Sequence, residues 1–225
     1  QLTRITARTA TVLVEPVQGE AGVRLPREGF LEALRKRCDE VGALLIFDEI
    51  QTGFGRTGEM FACVKYGVTP DIVCLAKALG GGMPLGAFVS SSEIMSTLSH
   101  SPVLGHITTF GGHPVCCAAG LAALNYIEAN DLHHKAEEKG AMFERGLADH
   151  PQVREIRRGG LLLAVELGAS EKLYKLMELF KEAGVMSDWF LYCDTAFRIS
   201  PPLTISEAEI EECCSIIRGC LDRLD

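Results

Sequence analysis

Residues 43–49 read ALLIFDE and residues 71–77 read DIVCLAK. Each is an unbroken apolar run of strand length that stops abruptly at charge, Asp48-Glu49 in the first and Lys77 in the second, and this is the pattern of a strand buried on both faces of a sheet. A third such strand is predicted at 86–90 (GAFVS). Upstream, residues 27–41 place Phe30, Leu31, Leu34 and Cys38 at three- and four-residue spacing between charged residues, and Gly42 stands where a helix stops. Residues 9–17 (TATVLVEPV) are β-rich and run into the turn Gln18-Gly19-Glu20-Ala21-Gly22. Strand, helix, strand with charged side chains at the carboxyl ends is the α/β layout in which ligands sit outside those ends, so the chemistry is expected near Asp48 and Lys77.

Further along, Pro114 opens a helix of small residues (VCCAAGLAALNYI, 115–127) whose Ala, Gly and Cys content permits close packing on a sheet or at an interface. Residues 130–150 turn polar and helical. Beyond them a smaller region reads as strand (161–167), helix (171–183), strand (197–200) and terminal helix (207–223). The predicted organisation is a larger domain over 1–130 and a smaller one over 131–225. The length of 225 residues suffices for a real core, and 47% apolar and 23% charged residues exclude disorder. The net charge of −8 argues against a chain that wraps nucleic acid or lies on anionic lipid, which leaves small-molecule chemistry. The 9 cysteines include no CxxC pair and no histidine at zinc spacing, and are read as reduced thiols of a cytoplasmic protein. No apolar run reaches the roughly 18–20 residues of a membrane span, and the first residues are no signal peptide. The absence of an initiating Met leads to the expectation that the chain begins inside a longer protein.

Taken residue by residue, a carboxylate at the end of an apolar strand needs a cation or hydrogen-bond donors, so Asp48 is either a site residue or a cap and ion-pair partner. Lys77, ahead of the flexible Gly80-Gly81-Gly82, is either solvated or an amine poised to attack aldehydes. The glycines form neither common phosphate loop. Residues 108–114 (TTFGGHP) set hydroxyls and open N–H groups before a helix, which suits an anion or simple capping. His113, His133 and His134 lack companion ligands in sequence, and surface or capping roles are assigned to them; no metal site is expected.

Together, LVEPVQGEAG (13–22), LLIFDEIQTGFGRTG (44–58), PDIVCLAKALGGGMPLGA (70–87) and TTFGGHPVCCAAGLAAL (108–124) resemble, in order and spacing, the class III pyridoxal-phosphate-dependent aminotransferases, and within them the ornithine and acylornithine aminotransferase branch. The resemblance reaches RRGGLLLAVEL (157–167) and FRISPPLTIS (197–206). It implies fold type I, with the C-terminal part of a large, mostly parallel-sheet domain followed by a small α+β domain.

It also implies roles. Lys77 would hold the aldehyde of pyridoxal 5'-phosphate and move the substrate's Cα proton, Asp48 would face the pyridine nitrogen, and Gln51 the phenolic oxygen. Thr109 would serve the phosphate site of a neighbouring subunit, which implies a homodimer with shared sites. Arg198 would grip a substrate carboxylate with its guanidinium fork, and Glu20 would pair with that arginine when an ω-amino group enters instead. Glu15 matches too and is given no direct contact. The activity implied is transamination of an ornithine-like donor with 2-oxoglutarate; an aminomutase, a racemase, or an inactive fragment or non-catalytic subunit are the alternatives. The family's glycine-serine/threonine phosphate loop and the aromatic residue that stacks on the cofactor match nothing from Gln1 onward. Residues 186–195 (MSDWFLYCDT) match no family pattern; Trp189, Phe190 and Tyr192 are candidates for the substrate entrance, with core packing expected for at least two of them.

Overall fold

The computed structural model describes residues 2–224, which fall into two units. The first comprises residues 2–16, Pro26–Phe54 and Phe61–Asn130; the second comprises Val17–Leu25, Gly55–Met60 and the chain from Asp131 on. Two short pieces of the stretch 1–130 therefore group with the second unit.

The first unit carries β1 (Thr11–Val14), α1 (Phe30–Val41), β2 (Leu44–Asp48), α2 (Ala62–Lys65), β3 (Ile72–Leu75), β4 (Ala87–Ser90), α3 (Ser92–Ser96) and α4 (Pro114–Ala129). Its sheet runs β1-β2-β3-β4, with β1, β2 and β3 parallel and β4 antiparallel to β3. α1 forms because Leu31, Leu34 and Cys38 share one buried face, and it ends at Gly42, whose left-handed φ of 74° only glycine adopts cheaply. That face packs with Ala43, Leu45, Phe47 and Val68 in one core cluster. Each large apolar side chain in it is worth about 1.5–3 kcal/mol of burial.

The expectation of strands buried on both faces is corrected. In β2, Leu45 and Phe47 are buried while Leu44, Ile46 and Asp48 are half-buried, and in β4 Ala87, Phe88 and Val89 are exposed. β4 is an edge strand, and an apolar run cannot tell an edge from a centre.

The second unit carries α5 (Leu132–Leu147), β5 (Glu155–Gly159), β6 (Leu162–Glu166), α6 (Ser170–Ala183), β7 (Trp189–Phe190), β8 (Cys193–Ile199) and α7 (Glu207–Leu221). Its antiparallel sheet has the order β5-β6-β8-β7. α5, α6 and α7 supply Phe143, Leu147, Leu173, Phe180, Ile210 and Ile217 to a core that includes Leu163 and Val165 of β6 and Phe197 of β8. α7 starts at a capping box: Ser206 Oγ accepts the Glu209 N–H at 3.2 Å, and Glu209 Oε2 accepts the Ser206 N–H at 2.8 Å. Of the three aromatics in the unmatched stretch only Phe190 is buried, whereas Trp189 is 41% and Tyr192 81% exposed, so core packing accounts for one of them and not two.

Candidate active site

In the first unit the candidate residues sit at one end of the parallel strands. Asp48 closes β2 and is registered against Cys74 of β3, and Lys77 follows the end of β3. Since β2 and β3 are parallel, both residues lie at the carboxyl edge of the sheet. Asp48 Oδ1 accepts the Ile50 N–H at 3.0 Å, an Asx-type contact that fixes the carboxylate and leaves Oδ2 outside that bond. Gln51 lies half-buried in the turn that follows.

Lys77 adopts φ 50°, the left-handed region that a lysine enters at a cost of about 1–2 kcal/mol, and it opens a short 3₁₀ turn, Lys77–Gly80. The turn is closed by Leu79 N–H to the Ala76 carbonyl and Gly81 N–H to the Ala78 carbonyl, both 3.1 Å. The small residues of α4 find their use here. A Cβ on Gly81 would come within 2.5 Å of the Ala119 carbonyl oxygen, and one on Gly120 would strike the Leu79 carbonyl oxygen. Backbone thus packs on backbone, holding the strained lysine turn against α4. The Lys77 side chain itself is exposed.

Glu49, the second acid of the strand end, was not singled out by the sequence and turns out to be structural. It is 1% exposed. Its Oε2 accepts the Ala62 N–H at 2.6 Å and the Thr52 hydroxyl at 3.0 Å, and its Oε1 accepts the Cys63 N–H at 2.7 Å. The carboxylate satisfies the open N–H groups of α2 and secures the chain just after Asp48. Its neighbour Cys63 has its thiol pushed up to about 11 by burial, with the Glu49 charge adding to the effect. Glu49→Ala strands one buried and one part-buried amide donor, and is expected to cost about 2–3 kcal/mol, read as a lowered urea midpoint with unchanged slope.

Thr109 is exposed, in the segment leading to α4, whose N-cap His113 makes no side-chain cap bond. The exposed Lys77 amine and the half-buried Asp48 carboxylate at one edge of the sheet are of the chemical kinds that the aldehyde and ring nitrogen of pyridoxal phosphate require.

In the second unit, Glu20 and Arg198 are brought together. Arg198 Nη2 donates to Glu20 Oε1 at 2.8 Å, with both side chains about one-fifth exposed (22% and 23%). Arg198 Nε is buried and has no partner, so the guanidinium fork keeps donor capacity beyond Glu20. The loop bearing Glu20 is held by Arg157, a buried residue that the sequence did not flag. Its Nε donates to the Gly22 carbonyl at 2.5 Å, and its other nitrogens pair with Glu155 at 2.7 Å and Glu166 at 3.0 Å. The fold also gives His133 and His134 the companion that sequence spacing denied them. Asp131 Oδ1 lies 2.5 Å from His134 Nδ1 and 3.9 Å from His133 Nε2, a grouping compact enough to accept a cation.

The chain is 46% identical over 221 residues to a putrescine aminotransferase of Pectobacterium atrosepticum, covering 96% of this chain and 46% of that protein. Among solved structures, an acetylornithine aminotransferase from Elizabethkingia anophelis superposes with a TM-score of 0.88 at 36% identity, covering 98% of this chain and 58% of that one. An ornithine aminotransferase from Toxoplasma gondii ME49 gives 0.88 at 34% identity, with coverage of 98% and 53%. The chain spans about half the length of these relatives. The family model described as aminotransferase class-III matches residues 2–221, and the fold-type I chain belongs to that family of pyridoxal-phosphate-dependent transaminases.

Proposed function

We propose that the complete protein transfers an amino group from an ω-amino donor, ornithine, an N-acylornithine or a related compound, to 2-oxoglutarate, as a homodimer in the cytoplasm. The observation that carries the choice of substrates is the Arg198–Glu20 ion pair with its spare guanidinium donor. Bound pyridoxal phosphate supplies the electron sink and the carbonyl that takes up the amino group. Lys77 would hold it through the ε-amine and would serve as the base that carries the proton from the substrate Cα. Asp48 keeps a proton on the ring nitrogen; Gln51 binds the phenolic oxygen. Thr109 binds the phosphate held by a second subunit.

Arg198 grips the carboxylate of the 2-oxo acid with paired N–H donors. When an ω-amino group enters, Glu20 neutralises Arg198 and removes the charge that would repel it. The Arg198–Glu20 pair thereby serves both half-reactions. Support for a second subunit comes from apolar side chains left in solvent by the first unit, among them Val103, Ile107, Phe110 and Leu121, each more than half exposed. The nine cysteines, all free thiols, suit a reducing compartment. No helix among the described residues is long and apolar enough to cross a membrane.

The test is a donor panel of ornithine, N-acylornithine, 4-aminobutyrate and aspartate against 2-oxoglutarate, run on the complete protein and on Glu20→Ala. A charge-assisted bond is worth about 1.5–3 kcal/mol. Its removal is expected to shift the preference from ω-amino toward α-amino donors by about tenfold or more. An unshifted preference refutes the substrate assignment.

A further inference from the structure

Every residue from 187 to 192 touches one member of the Glu20–Arg198 pair. On the Arg198 side, the Ser187 hydroxyl donates to the Arg198 carbonyl at 2.7 Å, and the Arg198 N–H donates to the Asp188 carbonyl at 2.8 Å. Arg198 Nη2 reaches the Trp189 carbonyl at 3.5 Å, and the guanidinium carbon lies 4.6 Å from the centre of the buried Phe190 ring. On the Glu20 side, the Leu191 N–H donates to Glu20 Oε2 at 3.1 Å and the Tyr192 N–H to the Glu20 carbonyl at 3.0 Å. We infer that this hairpin, β7 and the turn into β8, positions the pair and sets how readily Arg198 is released to a substrate carboxylate. The inference rests on the substrate reading above.

The physical reason lies in which group is held by what. Of the two Glu20 carboxylate oxygens, one faces Arg198 and the other accepts a backbone N–H at the hairpin tip. Tethering that second oxygen keeps the first aligned on Arg198, so the pair stays closed until a substrate carboxylate competes for the guanidinium. The Leu191 N–H supplies that tether. Phe190, stacked on the guanidinium, limits the planes in which Arg198 can present its fork. The side chains at the tip are almost free of packing duties, with Leu191 79% and Tyr192 81% exposed, so the contribution of these two positions is in their backbone donors. The sequence shows nothing of this, because a backbone N–H has no residue signature.

The test uses the complete protein and compares Leu191→Pro, which deletes the N–H, with Leu191→Ala, which shortens the side chain and keeps it. Loosening Glu20 leaves Arg198 more available to carboxylates and less well masked for an ω-amino group. Relative to Leu191→Ala, the KM for 2-oxoglutarate is expected to fall about tenfold, and that for the ω-amino donor to rise by a similar factor, as loss of one charge-assisted bond implies. A general folding defect would not move two KM values in opposite directions. If Leu191→Pro does not fold, Phe190→Leu is measured instead, with the same opposed changes expected. A substrate-independent arm follows amide hydrogen exchange at 189–193 in Glu20→Ala, where the Leu191 amide is expected to lose protection at least tenfold. Unchanged exchange overturns the inference whatever the kinetics. If Glu20→Ala alters the KM values and neither hairpin variant does, the inference falls and the proposed function stands. If Glu20→Ala leaves them unaltered, the proposed function falls first and takes the inference with it.

Discussion

Replacement of Lys77 by alanine is expected to lower transamination by the complete protein by at least about 10³-fold, because one amine is asked both to hold the cofactor and to carry the proton. Its companion, Lys77→Gly, separates this loss from any effect on folding. Lys77 occupies φ 50°, a conformation that costs a residue with a Cβ about 1–2 kcal/mol and a glycine almost nothing. The glycine variant is therefore expected to be equally inactive and about 1 kcal/mol more stable, after allowance for the freedom glycine adds to the unfolded chain. A strained residue whose removal stabilises the protein and abolishes its activity is one retained for chemistry. Thermal unfolding gives the first half of the result. The second is read by borohydride treatment of protein loaded with pyridoxal phosphate, where mass is added at the peptide holding Lys77 in the parent and not in either variant. Retained labelling or activity in Lys77→Ala would remove the cofactor assignment.

Arg157→Met is expected to destabilise the protein by about 3–5 kcal/mol, the scale for removing one partner of a buried ion pair. Arg157 is 7% exposed, and methionine fills most of its volume without its charge, depriving Glu155 and the Gly22 carbonyl of the Arg157 donors and leaving Glu166 with the Gly168 N–H but no cation. The pH dependence has a definite sign. Burial pushes the Glu166 carboxyl upward, but hydrogen bonds from Thr195 and Arg157 outweigh it and hold the group below its ordinary 4.5. A carboxylate lowered on folding adds stability that is fully present above 4.5 and disappears as the pH falls through its folded-state value. Urea midpoints at pH 7 and pH 3 should accordingly diverge more in the parent than in Arg157→Met. The loop at Gly22 has no slack to compensate. It sits at φ 86°, and a Cβ there would lie 2.8 Å from Cys193 Sγ and 2.9 Å from Arg157 Nη2.

What the sequence made legible were features with a local signal. Apolar runs ending in charge gave β2 and β3 and, with them, Asp48 and Lys77; apolar spacing and Gly42 gave α1; Pro114 gave the start of α4. β5 escaped because its residues, Glu-Ile-Arg-Arg-Gly, look like a surface, and Arg157 is buried only by virtue of acids contributed from its own strand and from β6. Glu49 escaped for a related reason, since two of its partners, Ala62 and Cys63, come 13 and 14 residues later. The exposure of β4 and of Trp189 and Tyr192 was misjudged because hydrophobicity reports what a side chain prefers and not what is available to cover it. The Glu20–Arg198 contact, 178 residues apart in the chain, came only from family resemblance.

The path of the chain between its two units, crossing after Pro16, Leu25, Phe54, Met60 and Asn130, bears on how this protein can be dissected or recombined. A scissile bond engineered at 130/131 would yield a C-terminal piece deprived of Gly22, which caps the Arg157 guanidinium, and of Arg56, whose Nη1 binds the Leu161 and Pro201 carbonyls. Chimeras spliced at that single junction would inherit mismatched loops from the other parent. A workable graft of the C-terminal half must therefore transplant 17–25 and 55–60 along with it.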